Sequence, residues 1–168
     1  MRRVAVGPIV TLVFENRTTI RFQVQEMARV ERMLTDEQIQ GELDVYNPLI
    51  PGPGELSATL FVELTSEQQL REWLPKLVGI ERSLELRIGG DPRLVVRCEP
   101  EAAHEAQLTR EEVTASVHYV KFRLTPGEAE AFRAGPASIA AVHPEYSHLT
   151  ELSEETRRSL AGDWVGPA

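Results

Sequence analysis

Histidine is the residue type in this sequence that is best suited to proton transfer in catalysis. Of the four histidines, His118 is the most informative. It lies in the segment SVHYVKFRL, in which hydrophobic residues alternate as they do in a β-strand. Because His118 shares its parity with Val120 and Phe122, we expect its imidazole to point toward the core. A buried imidazole is usually held by a carbonyl or a carboxylate, and the alternative is a general base or a metal ligand. His118 is therefore the first candidate catalytic residue.

His143 and His148 lie close together in the segment VHPEYSHL, which we expect to form a loop. Two imidazoles supply only half of the ligands of a zinc site, so a capped or solvated loop is favoured unless a carboxylate completes a site. The spacing Glu-x-x-His occurs at Glu101–His104 and Glu145–His148, but di-iron proteins carry this motif on long facing helices, whereas prolines lie next to both copies here. We therefore predict no metal and no cofactor. If a metal were bound, its candidate ligands would be His118, His143, His148 and Glu26.

A stripe of polar side chains is the second feature that could do chemistry. We predict a helix from about Thr19 to Met33, with a strand as the alternative for its first turn, and on this helix the stripe occupies one face. The stripe consists of Arg21, Gln25, Arg29 and Arg32. One interpretation is a solvated face held by ion pairs, including an i,i+3 pair of Glu26 with Arg29. The other is a surface that binds an anion or carboxylate through the guanidinium fork of Arg21 or Arg29, with Gln25 beside it.

The elements that position these residues can be predicted from periodicity and capping. Apolar runs bounded by turn residues predict six strands. They cover Val10–Phe14, Leu56–Leu64, Ser83–Ile88, Arg93–Cys98, Ala115–Leu124 and, as the last strand, Ser138–Val142. Further helices are predicted to begin near Thr35, Thr65, Pro126 and Ser153, where capping residues or a helix-opening proline occur.

This order of elements predicts an α+β fold with a mainly antiparallel sheet and several packing helices. The length of 168 residues fits one domain, which we expect to span residues 1–168. The segment Tyr46–Glu55 is rich in proline and glycine. We interpret it as an internal loop, because the helices before it could not bury a core alone.

The composition excludes several classes of protein. The net charge of −8 argues against a general binder of nucleic acid or of anionic membranes, which would need clustered cations. No apolar run is long enough for a membrane span, and no signal-peptide pattern opens the sequence. Cys98 is the only cysteine, so no disulfide can form within the chain, and its parity on a strand predicts a buried thiol. These features favour a cytoplasmic protein.

The chain resembles a family of uncharacterised bacterial proteins, domain of unknown function 3501. The resemblance rests on FENRTT, QVQEMARVER, ELDVYNPLIP, LSATLFVEL, SVHYVKF and VHPEY, and extends over most of the chain. It implies no established activity. It implies a genomic setting beside rubrerythrin-like and iron–sulphur oxidoreductase proteins, and hence a redox or peroxide-stress pathway. The resemblance also implies that many relatives have a further segment before the position of Arg2. The absence of that segment here would expose a surface that the relatives cover.

Two classes of function are compatible with these observations. The first is a non-catalytic accessory or interaction protein that binds a protein partner or a small anionic ligand, with self-association as one form of interaction. The alternative is a small metal-binding protein or enzyme, in which Glu26 would join His118 as a catalytic candidate and Arg29 would orient an anionic substrate. The two classes differ in whether His118 and the polar stripe line one pocket.

Overall fold

The computed structural model describes residues 2–101 and 114–164, in which nine strands form two antiparallel sheets. The strands are β1 (Arg3–Val6), β2 (Val10–Glu15), β3 (Glu55–Val62), β4 (Leu84–Ile88), β5 (Val95–Arg97), β6 (Glu99–Pro100), β7 (Val117–Arg123), β8 (Ala137–His143) and β9 (Tyr146–Glu151). Sheet A has the order β1–β2–β3–β7–β6, and sheet B has the order β5–β4–β8–β9. The predicted α+β class with antiparallel strands is confirmed, and the strands divide between two sheets.

The register of sheet A determines which side chains share a face. Leu60 of β3 lies opposite Leu12 of β2 and His118 of β7, and this face contributes to the main core. Sheet B adds Leu86 and Ile139 to the same core, and both of these side chains are fully buried. Because side chains alternate along a strand, the neighbouring residues of sheet A face the opposite way.

Five helices accompany the sheets in the described ranges, and the first two cover the outer face of sheet A. The helices are α1 (Arg17–Val30), α2 (Asp36–Tyr46), α3 (Glu67–Lys76), α4 (Pro126–Ala134) and α5 (Glu154–Gly162). Ile20 and Val24 of α1 form a second, smaller core with Leu49, against which Tyr119 of β7 packs. None of the helices within the described ranges has the length and apolar character needed to cross a lipid bilayer.

Side-chain caps explain where the helices begin. Helix α2 begins after Thr35 as predicted, and Thr35 and Gln38 form a capping box there. Helix α1 begins two residues before the predicted start, because Asn16 and Thr19 form a capping box of their own. It also ends before Met33, since Arg32 adopts a left-handed φ of 51° that does not continue a helix.

Three strands, β1, β6 and β9, were missed by the sequence analysis, and the prediction that Ser138–Val142 is the last strand was wrong. Strand β9 follows it, and Tyr146 of β9 holds the turn between β1 and β2. Its buried hydroxyl donates to the carbonyl of Val6 and accepts from the amides of Ile9 and Val10, at 2.5, 3.0 and 3.1 Å. The segment VHPEY therefore has a structural role through Tyr146, which the interpretation based on its histidine did not predict.

The described ends of the chain meet beside sheet A. Arg2 donates to both carboxylate oxygens of Asp163, at 2.9 and 2.8 Å. The indole nitrogen of Trp164 donates to the carbonyl of Glu55 at 2.7 Å, and its ring packs against Phe132 at a centroid distance of 5.6 Å. These contacts attach the residues that follow α5 to the residue before β1 and to the first residue of β3.

Candidate functional site

His118 lies in the core, as its parity predicted, with 2% of its surface exposed. Its Nε2 atom lies 2.9 Å from the carbonyl oxygen of Ala115 and 2.8 Å from the hydroxyl of Thr114. Because a carbonyl can only accept, the ring carries its proton on Nε2 in this arrangement. Burial lowers the pKa of His118, while the negative charge of Glu81 and the Ala115 carbonyl oppose that shift. The imidazole is therefore neutral and held by local contacts.

Glu81 and Cys98 are buried near this histidine, and sequence reasoning had not singled out Glu81. The Cys98 thiol donates to the backbone carbonyl of Glu81 at 3.2 Å. Burial raises the pKa of the Cys98 thiol to about 12, so the nucleophilic thiolate is suppressed. Within the described ranges, no three His, Cys, Asp or Glu side chains lie close enough together to bind a metal ion. Residues 102–113, with His104 of the first Glu-x-x-His pair, lie outside those ranges.

The other two candidate histidines serve the β8–β9 hairpin instead of forming the loop that was expected. His143 donates from Nε2 to the carbonyl of Val78 at 2.8 Å and accepts at Nδ1 from the amide of Glu145 at 3.0 Å. Both ring nitrogens are thus engaged by the backbone, which leaves no lone pair for a metal. His148 is exposed and packs on Tyr146, with ring centroids 4.4 Å apart.

Glu15 is the buried carboxylate that attaches α1 to sheet A. It accepts hydrogen bonds from the amide of Gln23 at 2.8 Å, from the hydroxyl of Thr59 at 2.9 Å, and from the hydroxyl of Thr19. A buried carboxylate needs several donors to offset its desolvation, and these three are supplied by α1 and β3. Part of the polar character of the segment after Phe14 is therefore structural.

Glu26 and Arg29 form the predicted i,i+3 pair at 2.8 Å, on the exposed surface of α1. The Arg29 guanidinium lowers the pKa of the Glu26 carboxyl, through a hydrogen bond and through its charge. Helix α1 covers the outer face of sheet A, whereas His118 faces the core on the other side. The structure therefore does not bring Glu26 and His118 into one pocket.

Arg21 and Gln25 do line a common cavity, which we call the cationic groove. Its volume is about 390 Å³, and it lies between α1 and the end of α2. Ile20, Val24, Leu43 and Ile50 provide apolar surface, and Arg17, Arg21, Gln25 and Asn47 provide polar groups. Arg29, the third predicted binding residue, does not line this cavity.

The electrostatics of the cationic groove are unusual for this acidic chain. Within the described ranges, the guanidinium groups of Arg17 and Arg21 have no hydrogen-bond or ion-pair partner. Arg17 is the first residue of α1, and the first turn of that helix contains no acidic residue. A cation at a helix N-terminus is repelled by the positive end of the helix dipole. Two unpaired cations beside that dipole create a positive potential that would attract an anion.

A larger surface cavity lies on the β4–β5 hairpin, but the arginines that line it are paired. It has a volume of about 740 Å³ and is lined by Glu85, Arg87 and Arg97, among other residues. Both arginines are already paired with Glu85, at 3.3 and 3.5 Å. Because its cations are neutralised within the chain, this cavity lacks the unpaired charge that distinguishes the cationic groove.

Fold and groove together define a two-sheet α+β protein whose helical hairpin carries a cavity lined by Arg17 and Arg21. The chain belongs to the family described as protein of unknown function (DUF3501), whose sequence profile matches residues 1–164. A crystal structure of a protein of unknown function from Burkholderia pseudomallei is similar to it, with 36% identity and a TM-score of 0.86. The similarity covers 97% of this chain and 83% of that one. Comparison with curated proteins found no match.

Proposed function

We propose that this protein is an accessory binding protein and that the cationic groove binds an anionic ligand through its carboxylate. The observation that carries the proposal is the pair of guanidinium groups, Arg17 and Arg21, that lack partners within the described ranges. A guanidinium presents its N–H donors as a planar fork that matches the two oxygens of a carboxylate. Gln25 and Asn47 add neutral amides at the same cavity.

The apolar part of the groove limits the class of ligand. Ile20 and Val24 are buried at its base, and Leu43 and Ile50 complete the apolar surface. A small inorganic anion would leave this surface in contact with water, whereas a carboxylate attached to a hydrocarbon body would cover it. An organic acid or an acidic side chain of a protein partner has this combination. The groove does not have the many clustered cations that nucleic acid requires.

The setting of this activity follows from the family resemblance and is part of the proposal. We propose that the ligand or partner belongs to a redox or peroxide-stress pathway with rubrerythrin-like or iron–sulphur proteins, and that the protein acts in the cytoplasm. The single, buried Cys98 fits a reducing compartment. No step in the proposed role requires the protein itself to transfer electrons.

A direct test uses hexanoate and its neutral isostere hexanamide as probes. Each compound would be titrated into the protein while ¹H–¹⁵N spectra follow the backbone amides of α1. We expect hexanoate to shift signals near Arg17 and Arg21, and hexanamide to bind at least about tenfold more weakly, because it lacks the charge. Equal binding of both compounds would contradict the proposal, as would the absence of binding at millimolar concentration.

A matched pair of variants localises the effect. Arg21→Gln removes a cation from the groove, and Arg29→Gln removes one from the same helix outside the groove. Arg21→Gln should weaken hexanoate binding about tenfold or more, while Arg29→Gln should leave it nearly unchanged. If the two variants weaken binding equally, the attraction comes from the general charge of α1 and the groove is not the site.

A further inference from the structure

The exposed apolar side chains of this protein are concentrated on the α1–α2 hairpin. Six large hydrophobic residues are exposed within the described ranges, and four of them belong to this hairpin: Phe22, Val30, Leu34 and Val45. Leu34 is 91% exposed, and Phe22 and Val30 are each 62% exposed. Exposed apolar side chains that are concentrated on one hairpin are costly in water and commonly mark an interface.

Phe22 and Val30 border a second cavity, which we call the apolar groove. It has a volume of about 350 Å³ and lies on the side of α1 away from the cationic groove. Met27 and Tyr46 contribute further apolar surface, and Gln23, Glu26 and Glu31 form its polar rim. Its size suits one or two aliphatic side chains from another molecule.

Leu34 lies in the turn between the two helices, three residues after Glu31 of the groove rim. Arg32, two residues earlier, has a φ of 51°, which is uncommon for a residue other than glycine. This conformation ends α1 and turns the chain so that Leu34 stands in solvent. An unfavourable backbone conformation that presents an exposed leucine is consistent with a contact outside the chain.

The charges of the hairpin are complementary between its two helices. Helix α1 contains three arginines and one glutamate, whereas α2 contains four carboxylates and no cation. The rim of the apolar groove carries Glu31 and Glu26, of which Glu26 is already paired with Arg29, and the exposed leucine follows soon after Arg32. Neither Glu31 nor Arg32 has an ion-pair partner within the described ranges. A surface that carries both an acidic groove and a basic, apolar projection is complementary to itself.

We propose that a second copy of this chain occupies the apolar groove, in a two-fold symmetric dimer in which Leu34 of each copy enters the groove of the other. In this dimer Leu34 of one copy would cover the apolar lining of the other copy's groove, at Phe22, Met27 and Val30. The same arrangement brings Arg32 toward the acidic rim of the other copy. Each apolar contact then occurs twice, as isologous interfaces require.

Sedimentation equilibrium across a wide range of protein concentration tests this dimer. We expect a reversible monomer–dimer equilibrium for the native sequence. Leu34→Asp should weaken dimerisation at least about a hundredfold, because it removes two buried leucines from each dimer. Its thermal stability measured under monomeric conditions should be unchanged, since Leu34 is exposed within the monomer.

Leu149→Asp is the matched control, because Leu149 is also exposed but lies on β9, away from the hairpin. It should leave the dimer intact, as should Arg21→Gln in the cationic groove. A native protein that stays monomeric overturns the proposal and assigns the apolar groove to a different partner. A dimer that Leu34→Asp does not weaken also overturns it.

Charge reversal provides a second, independent readout. Arg32→Glu alone should weaken the dimer, and so should Glu31→Arg alone, because each places like charges across the interface. The double variant Glu31→Arg, Arg32→Glu should regain association through the exchanged pair. Failure of the double variant to regain any association would contradict the proposed contact between Arg32 and the acidic rim.

Discussion

His118 and Tyr119 are consecutive residues of β7, and their side chains leave sheet A on opposite sides. His118 joins the core in register with Leu60, and Tyr119 packs beneath α1 with Ile20 and Val24. Burial shifts the two pKa values in opposite directions, lowering that of His118 and raising that of Tyr119. Both shifts favour the uncharged form, so the strand carries no charge at these two positions near neutral pH.

The first prediction concerns the effect of acid on His118. Because its pKa in the folded protein is lowered, the unfolded chain takes up this proton first as the pH falls. The resulting loss of stability begins below the unfolded value of about 6.5 and amounts to at most about 1.4 kcal/mol per pH unit. Urea unfolding at a series of pH values should show this slope, and His118→Gln should reduce it. An identical slope in the variant would contradict the assignment.

Cys98 should resist thiol reagents in the folded protein. Its thiol is buried, and its raised pKa of about 12 leaves almost no thiolate at neutral pH. We expect labelling by a chromogenic disulfide reagent to be very slow under native conditions and rapid in denaturant, with the change in absorbance as the measurement. Native labelling as fast as that of a free cysteine would show that the pocket opens readily.

Glu15 and Glu26 should differ sharply in their contribution to stability, although Glu15 lies just before α1 and Glu26 lies within it. Glu15→Gln removes a buried carboxylate that accepts three hydrogen bonds, and we expect a loss of about 2–3 kcal/mol in the free energy of unfolding. Glu26→Gln removes one member of an exposed pair and should leave the melting temperature nearly unchanged. Equal melting temperatures for the two variants would contradict this difference.

Arg17 should affect stability and binding in opposite directions. Arg17→Gln removes a cation from the N-terminus of α1, where the helix dipole disfavours it, and should stabilise the protein by about 0.3–1 kcal/mol. The same variant should bind hexanoate more weakly if Arg17 contributes to the cationic groove. Thermal unfolding and the titration described above measure the two effects. A variant that is destabilised would indicate that Arg17 has a structural role instead.

The elements that are encoded locally were predicted well from the sequence. The helix start at Thr35 depends on a cap made by residues close together in the chain. The predicted strands Ser83–Ile88 and Arg93–Cys98 likewise flank a short turn, in which Gly89 and Gly90 adopt φ of 63° and 68°. Strand β9 was missed because its sequence, YSHLTE, is mostly polar and exposed. It pairs with β8 across a short hairpin, and the buried hydroxyl of Tyr146 could not be anticipated from spacing.

In the candidate site, too, residues close together in the chain were predicted, whereas residues that meet only through tertiary packing were not. Arg21 and Gln25 were predicted from helical periodicity, and they do share a cavity. Arg17 was missed because the helix is predicted to begin at about Thr19, although Asn16 as a helix cap would have placed Arg17 in the first turn. Asn47 and Leu43 meet α1 only through the packing of α2, which periodicity does not reveal. The separation of Glu26 from His118 likewise depends on the sheet between them.

The ion pair between Arg2 and Asp163 has a consequence for how the nascent chain folds. It joins positions 161 residues apart, so it cannot form until Asp163 has emerged from the ribosome. Strand β1 can pair with β2 much earlier, because only a short turn separates the two strands. Contacts of such long sequence separation close loops at high entropic cost and form slowly. This ion pair is therefore expected to form late in folding, after the local pairing of β1 with β2.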